Sequence, residues 1–189
     1  MPTNTEEHYC HKISAFPINK FHQLGKGRGK NILIVGESPA ENGWRKSGKA
    51  FYNLEGKILP TGKRLNLLLS EFDLSVEECG FTELSKCFIG KNRKSLNKCC
   101  QFCWPIFIKQ LKSIDYKLII ILGVKTQEIF NNLCGTTVNT GDLSEICINE
   151  KSYFILPIYH PSPINPYSQK RNEEIFRLSK RKLLDIVFQ

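Results

Sequence analysis

Two short apolar runs constrain this chain most. Ile32-Leu33-Ile34-Val35 ends abruptly in Gly36-Glu37-Ser38-Pro39-Ala40, and Tyr153-Phe154-Ile155-Leu156-Pro157-Ile158 ends in Tyr159-His160-Pro161-Ser162-Pro163. Runs this short, with no polar face, read as strands buried on both sides of a parallel sheet. Their carboxyl ends open into loops, and in open α/β sheets ligands sit at those ends. One loop offers a carboxylate and the other a histidine. A reaction site assembled from both ends of the chain is therefore expected.

The 189 residues suffice for one domain with a real core. Residues 1–30 are polar and end in Gly25-Lys26-Gly27-Arg28-Gly29-Lys30, so they read as an arm leading into a single domain over 31–189. The first strand spans about 31–36. A long loop follows from Glu37 to Pro60, and loops of that length inside compact domains are usually functional. Apolar spacing predicts helices over 61–72, 98–114, 124–133 and 171–187. Further strands are expected over 81–86, 117–122 and 153–158, with a short hairpin or irregular edge at 139–149. Strands alternating with helices imply a three-layer α/β/α sandwich around a central four-stranded parallel sheet.

The chain carries 27 Lys and Arg against 18 Asp and Glu, a formal charge of +9. Such a surface attracts polyanions, of which nucleic acid is the commonest. No apolar run approaches the roughly 20 residues that span a bilayer, and the N-terminus is polar and acidic, unlike a signal peptide. These features predict a cytoplasmic protein with no membrane partner, where disulfides are rare.

At four places the chain resembles the uracil-DNA glycosylase superfamily, most closely its iron–sulfur branch. Gly36-Glu37-Ser38-Pro39-Ala40 is similar to the first active-site motif, Gly-Glu-Ala-Pro-Gly in that branch. Gly48-Lys49-Ala50-Phe51 is similar to the segment that supplies a ring stacking on the extruded base. Lys86-Cys87 with Cys103-Trp104-Pro105 resembles the cluster-binding half, and His160-Pro161-Ser162-Pro163 the second active-site motif. The resemblance runs from about Asn31 to the C-terminus.

It implies a monomeric enzyme that flips a nucleotide out of DNA, because a base inside a duplex cannot be attacked. Cleaving the N-glycosidic bond leaves negative charge on the base. His160 is implied as the donor that stabilises it. Glu37 and Ser38 stand where the family orients water or stabilises the sugar cation. Phe51 would stack on the base, with Gly36 and Pro39 shaping the pocket. Ser162 and Pro163 would grip a phosphate, and Ile164 would wedge into the vacated stack. No lysine occupies a nucleophile position, so an abasic product without strand cleavage is expected.

Two pocket positions depart from the branch. Glu83 stands where the branch has the asparagine that reads uracil. An ionised glutamate accepts well from cytosine's 4-amino group but faces uracil's 4-oxygen lone pair to lone pair; a protonated one could also donate to cytosine's ring nitrogen at position 3 or to uracil's 4-oxygen. Ala40 stands where the most uracil-specific members carry a tyrosine that blocks a 5-methyl group. Together they favour a larger or cytosine-type base, modified at the 5-position. Ordinary uracil excision in repair, and a DNA-binding member without turnover, are the alternatives. A modified-base enzyme would suit defence against viruses with altered DNA.

Of eight cysteines, Cys87 and Cys103 match the branch's ligand spacing. Cys10 lies near the expected first ligand, and Cys100 or Cys99 would complete a structural 4Fe–4S cluster, with zinc as the alternative. Among the basic residues, Lys86, Lys91, Arg93, Lys94 and Lys98 cluster after the second strand, and Lys91 and Arg93 are the candidates to touch DNA.

Overall fold

The computed structural model describes residues 31–40, 44–90 and 93–188. Its centre is a five-stranded sheet of order β2-β1-β3-β5-β4. These strands are β1 (Ile32–Gly36), β2 (Gly80–Glu83), β3 (Leu118–Leu122), β4 (Ser144–Ile148) and β5 (Lys151–Ile158). The first, second, third and fifth run parallel. Every residue of β1 and β3 is buried, as their unbroken Ile/Leu/Val runs require.

Alternate residues serve opposite faces. Ile32, Ile34, Leu118, Ile120, Leu156 and Ile158 face one core, completed by α2 (Pro60–Leu69) and α5 (Pro166–Phe188). Leu33, Val35, Ile119, Ile121 and Ile155 face the other, completed by α3 (Leu96–Ser113) and α4 (Val124–Cys134). The sandwich therefore has the expected three layers.

The expected four-stranded parallel sheet is corrected to five strands. Residues 144–148 pair antiparallel with β5. The connection turns at Asn149 and Glu150, both at positive φ (47° and 68°). Two successive left-handed residues make the mirror-image turn that suits the twist of a hairpin. The loop from 37 to 60 also contains structure. It holds a four-residue helix, α1 (Trp44–Ser47), and a bridge between Tyr52 and Ile58. The last helix begins at Pro166 rather than 171, with the Asn165 Oδ1 accepting from the Tyr167 N–H at 3.2 Å. The proline fits the first turn because no helical partner awaits its missing N–H. The proposed arm, residues 1–30, lies outside the described residues.

Candidate active site

The sheet order reverses direction between β1 and β3, and the crevice at such a switch point is the usual ligand site. A cavity of about 740 Å³ opens there, within the range of sites for drug-sized ligands. Gly36, Glu37, Ser38, Pro39 and Ala40 form one wall. Phe51 and Glu83 line it from the neighbouring loop and strand, and His160 from the end of β5. The two ends of the described chain thus share one hollow.

His160 projects where β5 leaves the sheet. Gly123, just past β3, has φ +94°, and a methyl group there would lie 3.2 Å from the His160 Cβ. Only glycine allows so close a passage in that conformation. Behind His160, the fully buried Asn172 of α5 clamps the preceding residue. Its Oδ1 accepts from the Tyr159 N–H at 3.0 Å, and its Nδ2 donates to the Tyr159 carbonyl at 2.8 Å. The clamp replaces the ladder bonds that end with the strand. His160 is exposed at the cavity rim, yet protein packs around enough of the ring that burial lowers its pKa below the ordinary 6.5. The imidazole is neutral at neutral pH and holds one N–H donor and one acceptor.

Phe51 sits at positive φ (64°), a conformation costly for a bulky residue and one that clusters at functional sites. Its ring meets Phe81 edge-on, with centroids 4.8 Å apart. Gly62 of α2 passes beneath it, so close that an added methyl would stand 2.7 Å from the Phe51 Cβ. Trp44 of α1 packs on Phe81 as well, at 5.8 Å and 79°.

Glu83 is 6% exposed and beside Gly36, whose missing side chain makes its room: a methyl there would lie 3.1 Å from the Glu83 Cγ. Burial pushes the Glu83 carboxyl up to about 8. The Trp44 indole and the Lys86 ammonium pull the other way without offsetting it. One carboxyl oxygen, Oε2, is buried without a well-formed hydrogen bond. Burial thus favours the protonated carboxyl, which can both donate and accept.

At the mouth, the Arg93 guanidinium pairs with the Glu37 carboxylate. The Ser38 hydroxyl lies 3.5 Å from the same Glu37 oxygen. Arg93, expected at a DNA-facing surface, thus also ties the loop after β2 to the loop after β1.

A family model for the uracil DNA glycosylase superfamily matches residues 22–184. The chain belongs to the uracil-DNA glycosylase superfamily. The type-4 uracil-DNA glycosylase of Saccharolobus solfataricus is 30% identical over 182 residues, covering 92% of this chain and 82% of that protein. That of Archaeoglobus fulgidus is 28% identical over 170 residues, covering 87% and 82%. The protein is a DNA glycosylase, and the cavity lies where its fold brings the family's motifs together.

Other expected residues of this glycosylase stand outside the cavity. Ser162, Pro163 and Ile164 continue the His160 loop along the rim, and Ile164 is 91% exposed. Lys91 and Cys10 lie outside the described residues. Lys86 is corrected from a surface cation to a fully buried one. Its ammonium donates to the Thr82 hydroxyl at 2.7 Å and to the Glu83 carbonyl, and burial lowers its pKa to about 8.

Cys87, Cys99, Cys100 and Cys103 are all buried. The Cys103 sulfur accepts the Lys86 backbone N–H at 3.3 Å. Burial, with the neighbouring Cys103 and Cys99, pushes the Cys100 thiol up to about 12. Among the described residues no three His, Cys, Asp or Glu side chains gather as a metal centre requires. The described thiols by themselves form no complete ligand set.

Reading the sequence missed three residues of the site. Trp44 gave no signal, being an aromatic in a long loop. Gly123 was legible as the glycine that ends an apolar run. Asn172 sits on the buried stripe of α5 with Ser168, Ile175 and Phe176, and a polar residue on an apolar stripe is the mark of a buried hydrogen-bonding role.

Proposed function

We propose that this glycosylase is monofunctional and hydrolyses the N-glycosidic bond of an everted pyrimidine, with uracil as its basic substrate and tolerance for substituents at the 5-position. The observation that carries the reading is the one cavity lined by His160, Phe51 and the buried Glu83 carboxyl, whose burial favours its protonated form. An asparagine amide reads uracil by donating to its 4-oxygen and accepting from its 3-NH. A protonated carboxyl offers the same pair of groups. Its proton sits on either oxygen, so it equally accepts from the 4-amino group of cytosine and donates to the ring nitrogen at position 3. The clash expected of an ionised glutamate against uracil is removed by burial.

Phe51 stacks on the base, a contact of about 1–3 kcal/mol. The bond between N1 and the sugar breaks with both electrons going to the base. His160 donates its N–H to the 2-oxygen, where that charge collects. Water then adds to the sugar carbon and loses a proton, which leaves an abasic site. The Glu37 carboxylate, fixed by Arg93, faces the developing positive charge. Ser38 is not placed as a base, since its hydroxyl points to an acceptor already held by a cation. Ser162, Pro163 and the exposed Ile164 meet the DNA at the rim.

Ala40 lines the cavity with no bulk beyond its methyl group, which supports room at the 5-position. Mass spectrometry of oligonucleotides carrying uracil, cytosine, hypoxanthine and 5-substituted uracils and cytosines tests the reading. Release of uracil and of at least one 5-substituted pyrimidine is expected. Release of hypoxanthine alone would overturn it.

The burial of Cys87, Cys100 and Cys103, with Cys100 and Cys103 close enough to influence one another, supports a structural iron–sulfur cluster that the resemblance would complete with Cys10. Iron and sulfide, with visible absorbance lost in Cys103→Ser, are the expected results on anaerobically purified protein. Zinc in their place would make it a zinc centre, and a protein without metal would remove the cluster.

A further inference from the structure

The loop that carries Ile164 is shaped by its own short-range bonds. The Ser162 N–H donates to the His160 carbonyl at 2.7 Å. The Ile164 N–H donates to the Ser162 hydroxyl at 3.3 Å, and the Asn165 N–H to the Ser162 carbonyl at 3.3 Å. Such bonds fix the form of a turn but not where it stands against the body of the protein. Its far end is held by α5, where the Ser168 hydroxyl donates to the Asn165 carbonyl at 2.7 Å, and the tie to α2 comes from Arg64, whose Nη1 donates to the Ser162 carbonyl at 2.6 Å and is 3.4 Å from the Asn165 carbonyl. One guanidinium nitrogen thus spans the two residues that flank Pro163 and Ile164. Two residues earlier on the same helix, Gly62 passes beneath Phe51. A single rigid element therefore sets the distance between the stacking ring and the exposed apolar tip.

We propose that Arg64 is a positioning residue that holds Ile164 at the height needed to fill the gap left in a duplex by an everted nucleotide, so that Arg64 governs action on duplex DNA and not on single strands. The proposal rests on the glycosylase reading above and on Ile164 entering the stack. A single strand has no stack to refill, so the wedge matters only where a partner strand and flanking pairs must be held open. The role depends on the pre-organised planar group that holds this one nitrogen between two carbonyls, a placement that lysine's flexible stem does not fix.

The experiment compares the full chain with Arg64→Ala and Arg64→Lys. Binding is read by anisotropy on a duplex containing a stable tetrahydrofuran abasic analogue, and on the same strand alone. Excision of uracil is timed on the matching duplex and single strand. Both variants are expected to lose about tenfold in duplex binding and duplex excision. Single-strand values should stay close to wild type. In an Ile164→Ala background, Arg64→Ala should cost nothing further. Retention of wild-type duplex binding by Arg64→Lys would show that the residue supplies only charge and would overturn the proposal. So would equal losses on duplex and single strand. A wild-type protein that binds both DNAs but releases no base would defeat the glycosylase reading, while the binding comparison would still decide the role of Arg64.

Discussion

His160→Ala is expected to slow base release by about 10²–10³-fold, the usual cost of removing one donor aimed at a developing oxyanion. Affinity for an abasic duplex should remain close to wild type, because the imidazole serves a charge that exists only while the bond breaks. Three features of the structure prepare the ring for this. Burial holds its pKa below the ordinary value, so it stays neutral and its N–H stabilises the anion without giving up the proton. Gly123 leaves the space in which it stands. Asn172 fixes the backbone one residue before it with two hydrogen bonds. The last point sharpens the test. If Asn172 acts through His160, Asn172→Ala lowers the rate in the wild-type background and adds little in the His160→Ala background. Losses that multiply in the double variant would make Asn172 a stabilising residue only. A His160→Ala protein that loses DNA affinity but keeps its turnover would remove His160 from the chemistry.

The strands that build the cavity were legible because burial on both faces leaves an unmistakable pattern. Ile32–Val35 and Leu118–Leu122 hold no polar residue, and runs this short that end in Gly36 and Gly123 have strand length rather than helix length. The fifth strand was legible only as a short hairpin or irregular edge, because Ser144–Ile148 is partly buried and its hairpin turn uses Asn149 and Glu150 rather than a glycine. Glu37 and His160 were visible because each follows the end of an apolar run, whereas Phe51 and Glu83 were reached through the family resemblance. What could not be seen was the state of charge. Lys86 counts as a surface cation in any reading by composition, yet it is sealed beneath β2. For Glu83 the sequence leaves both the ionised and the protonated carboxyl open until its burial is known. Sequence supplies the titratable groups, but desolvation sets their protonation, and desolvation depends on neighbours such as Trp44 that lie far along the chain.

That protonation state yields the second large effect. Excision of uracil by the wild-type protein is expected to fall about tenfold per pH unit once the pH passes about 8, since only the neutral Glu83 acid can donate to the 4-oxygen. Glu83→Gln keeps the shape and both hydrogen-bonding roles but cannot ionise, so its alkaline limb should be absent. His160 does not supply this limb, because its pKa is lowered and it is already neutral there. The charged group facing Glu83 is Lys86, with the Cys100 thiol beyond it. Lys86 loses its proton in the same range, and the glutamine variant separates the two. Stability carries a matching signature. The folded pKa lies above the ordinary 4.5, so the native state holds a proton that the unfolded chain releases. This contribution is complete below 4.5 and disappears as the pH rises through about 8. The melting temperature of Glu83→Gln should therefore decline less than that of wild type between pH 5 and about 8. The profile of kcat/KM reports groups of the free enzyme, which is the state described here. An alkaline limb that persists unchanged in Glu83→Gln would assign the titration to Lys86, and the base would then be read by something other than a carboxylic acid.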